Sequence, residues 1–412
     1  MPSTTSTRKR KGAGNIQKKA NGSYLGRIRI TGYDTYYYTG TSEKDVQKNL
    51  NEFYEKTQRQ EIIARKETVN TYIERWLENV KRHTMKPASY DRLERTYNRQ
   101  IKHSPVGRSQ LGSLTSMEIQ ALINSYTSSL AYSTLKKVYD LLNNCFRYAV
   151  AVRDIGYNPV DGVQLPKQEN MAIQPKEIEI LSSEDLAKLE KAQYCLYSSG
   201  EPRYWYASAY VLIANTGLRS GEALGLTWDK INFKAKTLTV SQNASRIKNR
   251  DDINAHGSKQ IIVSTKTRSG TRQVPLNDKA LAALSHLKEL HDRKRIQSNF
   301  VICTSTGKMV VQSSFYHIFQ NMQRSLGITP VTIHALRHTF ASQLIEAGVD
   351  LKVVSQLLGH SSVKITYDTS FRYFVLHFFQ SQAIPLSFYT KTTNLYCIFK
   401  DHIDILSIFS LY

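Results

Sequence analysis

The chain contains few cysteines and no long apolar run. Its four cysteines are Cys145, Cys195, Cys303 and Cys397, and no two of them have the spacing of a zinc motif. So few cysteines in 412 residues predict no disulfide framework, which suits a reducing compartment. No run reaches the roughly 18 apolar residues of a membrane helix, and no apolar stretch follows the N-terminus. We therefore expect neither a membrane span nor a secretory signal.

Acidic residues are scarce relative to basic ones. The chain has 34 acidic and 56 Lys or Arg residues, so its formal net charge is +22. The first 20 residues contain no acid, and they include the basic run Arg8, Lys9, Arg10, Lys11. A surplus of this size favours a polyanion such as DNA, because binding releases counter-ions. The alternative is a solvated basic surface without a partner.

Residues 21–60 predict a small domain behind a flexible basic arm over residues 1–20. Basic and apolar residues alternate from Tyr24 to Ile30, as in a half-exposed strand, and a second β-prone run covers residues 35–39. Thr41 or Ser42 then caps a polar helix. A sheet face carrying Arg27 and Arg29 can enter a DNA groove. The alternative is a minor packing module.

Residues 66–160 predict an all-helical domain. Apolar residues recur at helical spacing in several segments, and Lys136 and Lys137 lie on a polar face that we predict to contact DNA. A polar, proline-containing linker is expected over residues 159–177. From residue 178 to 369 the pattern is mixed, with strands predicted at 237–240, 260–265 and 271–276 among several helices. The predicted fold is thus a multidomain, mixed α/β chain.

Four segments of the mixed region carry candidate chemistry. They are Thr216-Gly217-Leu218-Arg219-Ser220-Gly221-Glu222, Thr265-Lys266-Thr267-Arg268, His334-Ala335-Leu336-Arg337 and Leu357-Leu358-Gly359-His360. Guanidinium groups bind phosphate oxygens in pairs, and His334 and Arg337 share one helix face because they are three residues apart. Lys266 is expected at the tip of a hairpin. Each residue alone is ambiguous, but together they suit phosphoryl transfer without a metal or other cofactor.

These segments resemble the active-site boxes of the tyrosine recombinase (phage integrase) family. Thr-Gly-Leu-Arg-Ser-Gly-Glu is similar to the first arginine box, His-x-x-Arg to the second and Leu-Leu-Gly-His to the third, with the lysine between the first two. The resemblance covers residues 180–369. More loosely, the N-terminal unit resembles an arm-type DNA-binding domain of phage and conjugative-transposon integrases. The helical region likewise resembles their core-binding (SAM-like) domain.

The resemblance implies roles and partners. Arg219 and Arg337 would clamp the scissile phosphate, Lys266 would protonate the leaving 5′ oxygen, His334 would assist proton transfer and His360 would hydrogen-bond a phosphate oxygen. A tyrosine would form a 3′-phosphotyrosyl intermediate during integration or excision of a mobile element. The implied partners are attachment-site DNA, three further copies in a tetramer, and an excisionase or host DNA-bending protein. The implied location is the bacterial cytoplasm, at the nucleoid.

The sequence departs from the family where the tyrosine should stand. The nucleophile is expected nine or ten residues after His360, but these positions hold Thr369 and Ser370. Tyr367 and Tyr373 are out of register, and they are the remaining candidates for the nucleophile. Ser370 is an improbable substitute because an alcohol has a higher pKa than a phenol.

The segment after this point has an unusual composition. Residues 371–412 contain seven phenylalanines, four tyrosines and no glycine. An exposed aromatic tail would promote aggregation, so we hypothesise a reading-frame shift directly after Thr369. The alternative is a genuine, divergent terminus that brings Tyr373 into place.

Two further functions remain open besides recombination. One is a catalytically inactive DNA-binding protein that occupies attachment sites. The other is a DNA-relaxing topoisomerase of the related single-strand type, which the separate N-terminal DNA-binding unit disfavours.

Overall fold

The computed structural model describes residues 14–30, 35–58, 67–174, 179–250, 257–264 and 270–367. The chain divides into two compact units, residues 1–176 and 177–412. The division falls within the segment that the sequence predicts as a linker. The finer three-domain boundaries remain a prediction.

The N-terminal part of the first unit is an antiparallel sheet with one helix. Its elements are β1 (Asn15–Lys18), β2 (Tyr24–Ile28), β3 (Tyr36–Gly40) and α1 (Glu43–Gln58). The strand order is β1-β2-β3. The helix packs so closely on the central strand that a Cβ added at Gly26 would clash with the Val46 side chain. The buried residues Ile28, Val46 and Leu50 form this small core.

The first strand corrects the predicted basic arm. The sequence predicts a flexible segment over residues 1–20, whereas Asn15–Lys18 pair with β2 over their whole length. A turn in which Gly22 has a φ of 86° joins the two strands. The short polar strand has little apolar signal of its own, so its pairing with β2 determines its structure.

The remainder of the first unit is helical, as predicted. Its elements are α2 (Val69–Trp76), a π-helical turn (Leu77–Lys81), α3 (Arg82–Thr84), α4 (Pro87–Thr96), a second π-helical turn (Tyr97–Ile101), α5 (Pro105–Arg108), α6 (Ser116–Ser125) and α7 (Tyr132–Ala151). Thr115 and Glu118 form a reciprocal capping box at the start of α6. The apolar stripes of these helices meet in one core.

The proline-containing segment after α7 packs against these helices. Val160, Val163 and Met171 are buried in the helical core, and Asn158 donates hydrogen bonds to Asn143 and Asp161. The described part of this segment, up to residue 174, therefore extends the helical core. A polar composition did not reveal this, because three apolar side chains are enough to anchor it.

The second unit mixes helices and short strands around its own core. Its elements are α8 (Ser183–Ala192), α9 (Ala207–Thr216), α10 (Ser220–Leu224), β4 (Ile231–Asn232), β5 (Thr237–Val240), β6 (Gln242–Lys248), β7 (Ser258–Ser264), β8 (Arg272–Pro275), α11 (Asp278–Lys294), α12 (Gln312–Leu326), α13 (Ile333–Glu346), α14 (Leu351–Leu358) and α15 (Val363–Thr366). Helix α9 is buried along its whole length and lies at the centre of this core.

The strands of the second unit form two separate antiparallel sheets. One has the order β4-β5-β8, and the other is the pair β6-β7. The sequence predicted that β7 and β8 form a hairpin with Lys266 at its tip, and this is wrong for the described strands. β6, which the sequence analysis did not predict, pairs with β7 over all seven residues, while β8 pairs with β5.

The predicted fold class is confirmed. A small antiparallel sheet with a helix, a helical region and a mixed second unit follow one another along the chain. Across the described residues, no helix is both long and apolar enough to cross a bilayer.

Candidate active site in the second unit

A tight turn between α9 and α10 positions Arg219. Helix α9 ends at Gly217, which has a left-handed φ of 62°. A Cβ at Gly217 would lie 2.5 Å from the Phe340 ring and 2.9 Å from the Leu358 side chain, so the turn packs directly on α13 and α14. Arg219 follows as the residue before α10 and leaves its side chain partly exposed.

Glu222 holds this turn and a second arginine together. Its carboxylate accepts hydrogen bonds from the backbone N–H of Arg219 at 2.9 Å and from Nη1 of Arg219 at 2.7 Å. It also accepts two bonds from the Arg272 guanidinium, at 3.1 and 2.8 Å. Nε of Arg272 donates to the carbonyl of Leu357 at 2.6 Å. The buried Glu222–Arg272 pair thereby links α10, β8 and α14.

The ionised form of Glu222 is strongly favoured. Burial alone would raise the pKa of this carboxyl, but the Arg272 hydrogen bonds and charge, followed by those of Arg219, lower its pKa to about 2. Glu222 and Arg272 are almost fully buried, with side-chain exposures of 4% and 6%. A neutral residue in place of Glu222 would leave the Arg272 charge buried without this partner, whereas Glu222 would keep its pair with Arg219 if Arg272 were replaced.

Arg337 is buried in the same region. It lies on α13 with 1% exposure, and its Nη1 and Nη2 donate to the carbonyls of Gly217 and Leu358, both at 2.7 Å. Burial and the nearby Arg219 charge lower the pKa of Arg337 to about 9, so it stays charged at neutral pH. These bonds use two of its five N–H donors, which leaves donors for an anion.

Two histidines of α13 flank Arg337. The rings of His334 and His338 meet edge to face, with centroids 4.7 Å apart. Protein atoms crowd the His334 ring although the residue as a whole is exposed. This burial, together with Arg337 and Arg219, lowers the pKa of His334. Burial and His334 lower the pKa of His338 to about 4. Both imidazoles are therefore neutral at pH 7.

His360 enters the site from the end of α14. Gly359 ends that helix with a φ of 66°, and its carbonyl accepts a hydrogen bond from Nη2 of Arg219 at 3.2 Å. Nδ1 of His360 lies 2.7 Å from the hydroxyl of the fully buried Thr366. Burial and then Arg337 lower the pKa of His360 to about 3. A neutral ring is thereby held in one orientation.

The structure brings together four of the five predicted catalytic residues. Arg219 and Arg337 bond to the backbone that carries Gly217, Leu358 and Gly359, while the charges of both arginines act on His334 and His360. Two charged guanidiniums beside neutral imidazoles suit binding of a phosphate and proton transfer to or from the groups that attack it or leave it.

Sequence reasoning missed several members of the site. Glu222 was predicted only as the last residue of the first arginine motif, Arg272 was not among the predicted catalytic residues, and neither was predicted to pair with the other. The sole signal for Glu222 was its position three residues after Arg219, which is the spacing of a helix N-terminal cap. His338 and Thr366 had no signal beyond their proximity in sequence to predicted residues.

Some predicted residues lie outside the described part of the chain. These are Lys266, the nucleophile candidate Tyr373, and the arm residues Arg8, Lys9, Arg10 and Lys11. Tyr367 is described: it is half-buried and follows α15 directly.

The remaining predicted DNA-binding residues are exposed. Arg27 lies on β2 opposite Tyr37 of β3, and its guanidinium lies 5.9 Å from the centroid of that ring. Arg29 is exposed just beyond β2. On α7, Lys137 is exposed and Lys136 forms an ion pair with Asp140 at 3.3 Å. Their role in DNA binding remains a prediction.

Two family patterns match this chain. The phage integrase family matches residues 189–369, and the N-terminal SAM-like domain of phage integrases matches residues 68–127. The first range includes every residue of the site described above. Together the two ranges take in more than half of the chain.

Individual relatives match over most of their length. A tyrosine recombinase XerC-like protein of Caldanaerobacter subterraneus is 29% identical over 370 residues, which cover 81% of this chain and 91% of that protein. The integrase of a Staphylococcus phage is 25% identical over 317 residues, which cover 73% of this chain and 87% of that protein.

Solved structures share the fold at low sequence identity. The Tn1549 transposon integrase in complex with a circular intermediate DNA has a TM-score of 0.58 at 20% identity, covering 73% of this chain and 94% of that one. The lambda integrase dimer bound to a COC′ core site has a TM-score of 0.54 at 17% identity, covering 88% and 96%. A lambda integrase tetramer bound to a Holliday junction has a TM-score of 0.53 at 18% identity, covering 88% and 96%.

Proposed function

The chain belongs to the phage integrase family of tyrosine recombinases, and on that premise we propose that it binds attachment-site DNA of a mobile element as an integrase does. The observation that carries the proposal is the convergence of Arg219, Arg337, His334 and His360 around one point of the second unit. Related integrases have been solved on DNA, one of them as a tetramer, so we also propose assembly of four copies on the DNA. The compartment would be the bacterial cytoplasm.

The geometry of the four described groups supports their proposed roles, while the role of Lys266 rests on the family resemblance alone. Arg219 and Arg337 would bind the scissile phosphate with the N–H donors that their carbonyl partners leave unused. His360 would donate to a phosphate oxygen from Nε2, because Nδ1 faces Thr366. His334 would accept or return the proton of the attacking group, and a neutral ring is ready to accept one. Lys266 would protonate the leaving 5′ oxygen.

We further propose that this chain has lost strand cleavage. The family match ends at Thr369, and the next residue, where the family's tyrosine would stand, is Ser370. Without a phenol the phosphate would be bound but not attacked, because the covalent phosphotyrosyl intermediate cannot form. The protein would then occupy attachment sites as a DNA-binding protein, with residues 370–412, which include the aromatic-rich segment, translated from a shifted frame.

A second candidate function is an active recombinase with a displaced nucleophile. One observation favours it: Tyr367 directly follows Thr366, whose hydroxyl contacts His360, so the chain at Tyr367 runs beside the site. Tyr373 is the other candidate for this role.

The two functions can be separated on one DNA. The probe is a duplex that spans the junction between the element and the chromosome next to its gene, with a nick that traps cleaved product. Anisotropy should show tighter binding to this duplex than to a scrambled one, and a denaturing gel should show no protein–DNA adduct. Equal binding of both duplexes would contradict attachment-site recognition.

An adduct would instead establish the active recombinase. In that case Tyr367→Phe and Tyr373→Phe would identify the nucleophile, since only one of them should abolish the adduct while leaving binding intact. Loss of the adduct in Arg337→Lys would tie it to the site described above, because a lysine cannot bond both carbonyls and the phosphate at once.

The gene provides an independent test of the lost nucleophile. Codons 360–412 should be resequenced and translated in all three frames. A second frame that continues from Thr369 with tyrosine and then Ser-His or Gly-His would support the shift. If no frame does so, residues 371–412 are native and the frameshift proposal is wrong.

A further inference from the structure

A cavity lies in the second unit at the end of α9 that is remote from the candidate active site. Its volume is about 390 Å³, which falls in the range of small-ligand pockets. Ser208, in the first turn of α9, lines it, whereas Gly217 ends the same helix at the arginine turn. Nine residues of helix separate the two by about 14 Å. An occupant of this cavity would therefore not compete with a phosphate bound at Arg219.

The walls of the cavity are mainly aromatic and aliphatic. Six residues of the segment before α9 line it together with side chains of α11; the six are Gln193, Tyr194, Leu196, Pro202, Tyr204 and Trp205. Tyr194 and His286 contact each other edge to face, with ring centroids 5.0 Å apart, and form one continuous aromatic wall. Trp205, Leu287 and Leu290 complete the apolar surface. Such walls suit a flat ring that can pack against aromatic faces and edges.

One buried polar atom in these walls has no partner. Gln193 is 7% exposed, and its Oε1 accepts no hydrogen bond from the described residues. The neighbouring polar side chains are satisfied. Trp205 Nε1 donates to the carbonyl of Cys303, the Tyr204 hydroxyl pairs with Ser325, and Ser208 Oγ lies 3.4 Å from Nδ1 of His286. A buried, unpaired acceptor is costly unless a donor reaches it.

The charges at the cavity favour a neutral occupant. Glu289 and Arg293 both line it from α11, and both are exposed. Opposite charges one helical turn apart give no net field to select an anion or a cation. Shape and the single free acceptor are left to provide specificity.

We propose that this cavity is a binding site for an aromatic ring that carries an N–H donor, of the indole class. The ring packs against Tyr194 and the apolar residues of α11, and its N–H donates to Oε1 of Gln193. The same chemistry is offered by a free indole compound and by a tryptophan side chain of a partner protein. The exposed side chains of Tyr194 and Leu196, at 57% and 52%, extend the apolar surface beyond the cavity for the second of these.

The first test compares two probes on the full chain. Fluorine NMR would follow fluoroindole and its N-methyl derivative, which keeps the ring but lacks the donor. We expect saturable binding of fluoroindole and binding weaker by about threefold to tenfold for the methylated probe, the usual effect of one hydrogen bond. No saturable binding of fluoroindole, or equal binding of both probes, would overturn the proposal.

A variant then locates the hydrogen bond. In Gln193→Leu the ring can still pack but the acceptor is gone, so the two probes should bind equally, at the level of the methylated probe on the original chain. A preference for fluoroindole that survives in Gln193→Leu would place the donor elsewhere and contradict the assignment. If the variant does not fold, the two-probe comparison on the original chain still decides the proposal.

A third probe distinguishes the two sources of the ring. A capped Ala-Trp-Ala peptide should displace fluoroindole in either case. Tighter binding of the peptide than of indole assigns the site to a partner protein, because its flanking residues then contact Tyr194 and Leu196. Tighter binding of indole assigns it to a small molecule. A peptide that cannot displace fluoroindole overturns the shared site.

Discussion

Replacing Glu222 by glutamine should destabilise the second unit severely. The variant keeps the shape of the side chain but removes the charge that faces Arg272 and Arg219. The drop in the pKa of Glu222 from 4.5 to about 2 corresponds to about 3 kcal/mol of stabilisation at neutral pH. Breaking a buried ion pair by removing one partner typically costs about 3–5 kcal/mol. We therefore expect Glu222→Gln to cost about 3 kcal/mol.

The effect can be measured where it arises. Hydrogen exchange, followed by mass spectrometry on peptides from α9 and α10, reports the free energy of local and global opening. The matched control is Glu184→Gln, because Glu184 is 80% exposed and pairs with Lys188 at 2.9 Å, so its loss should cost at most about 1 kcal/mol. A cost for Glu222→Gln no larger than that of the control would refute the reasoning.

The same prediction has a defined pH dependence. Because the pKa of Glu222 is lowered on folding, its contribution is fully present above about pH 4.5 and is lost as the pH falls through about 2. The gap between the original chain and Glu222→Gln should therefore be constant near neutral pH and narrow only below about pH 4.5. A gap that already narrows between neutral pH and 4.5 would show that the carboxylate is not held as described.

Three further predictions concern other features. Gly217→Ala should lower the free energy of unfolding in urea by more than about 2 kcal/mol, since the new Cβ would clash with Phe340 and Leu358. The control Gly200→Ala, at a φ of 77° with nothing within 4 Å, should cost only the backbone strain of about 1 kcal/mol. Equal costs would contradict the close packing at Gly217. Gln193→Leu should raise the free energy of unfolding by about 1 kcal/mol, because it removes an unpaired buried acceptor. A lower free energy of unfolding in this variant would contradict the prediction. The pKa of His360 is lowered to about 3 in the folded chain, so below about pH 6.5 only the unfolded chain takes up a proton there, and the free energy of unfolding falls with pH. His360→Asn should make the dependence of that free energy on pH shallower by about 1 kcal/mol per pH unit between about pH 6 and 5. An unchanged pH dependence would show that His360 is not held neutral.

Local signals in the sequence determined most elements of the second unit. Thr332 before α13 and the glycines after α9 and α14 mark helix ends through their own backbone preferences, and the structure has a helix end at each of them. The spacing of His334 and Arg337 also determines that both lie on one helix face. Such features depend on neighbours within about one helical turn, so the sequence alone contains them.

The pairing of strands could not be predicted from signals within one helical turn. β1 and β6 have weak apolar patterns and become strands because β2 and β7 supply hydrogen-bond partners. The local sequence does not show whether β7 pairs with β6 or with β8. The predicted β7–β8 hairpin was wrong for that reason.

The candidate site likewise contains residues that local sequence predicted and contacts that only the tertiary structure determined. The motif spacing of the sequence identified Arg219, Arg337, His334 and His360, because each lies at a helix end or on a helix face with its own local signal. Only the tertiary structure decided that Glu222 binds Arg272, 50 residues away, and that Arg337 is buried against carbonyls from two other helix ends. Buried charges require partners, and which partner is within reach depends on how helices and strands distant in sequence pack together.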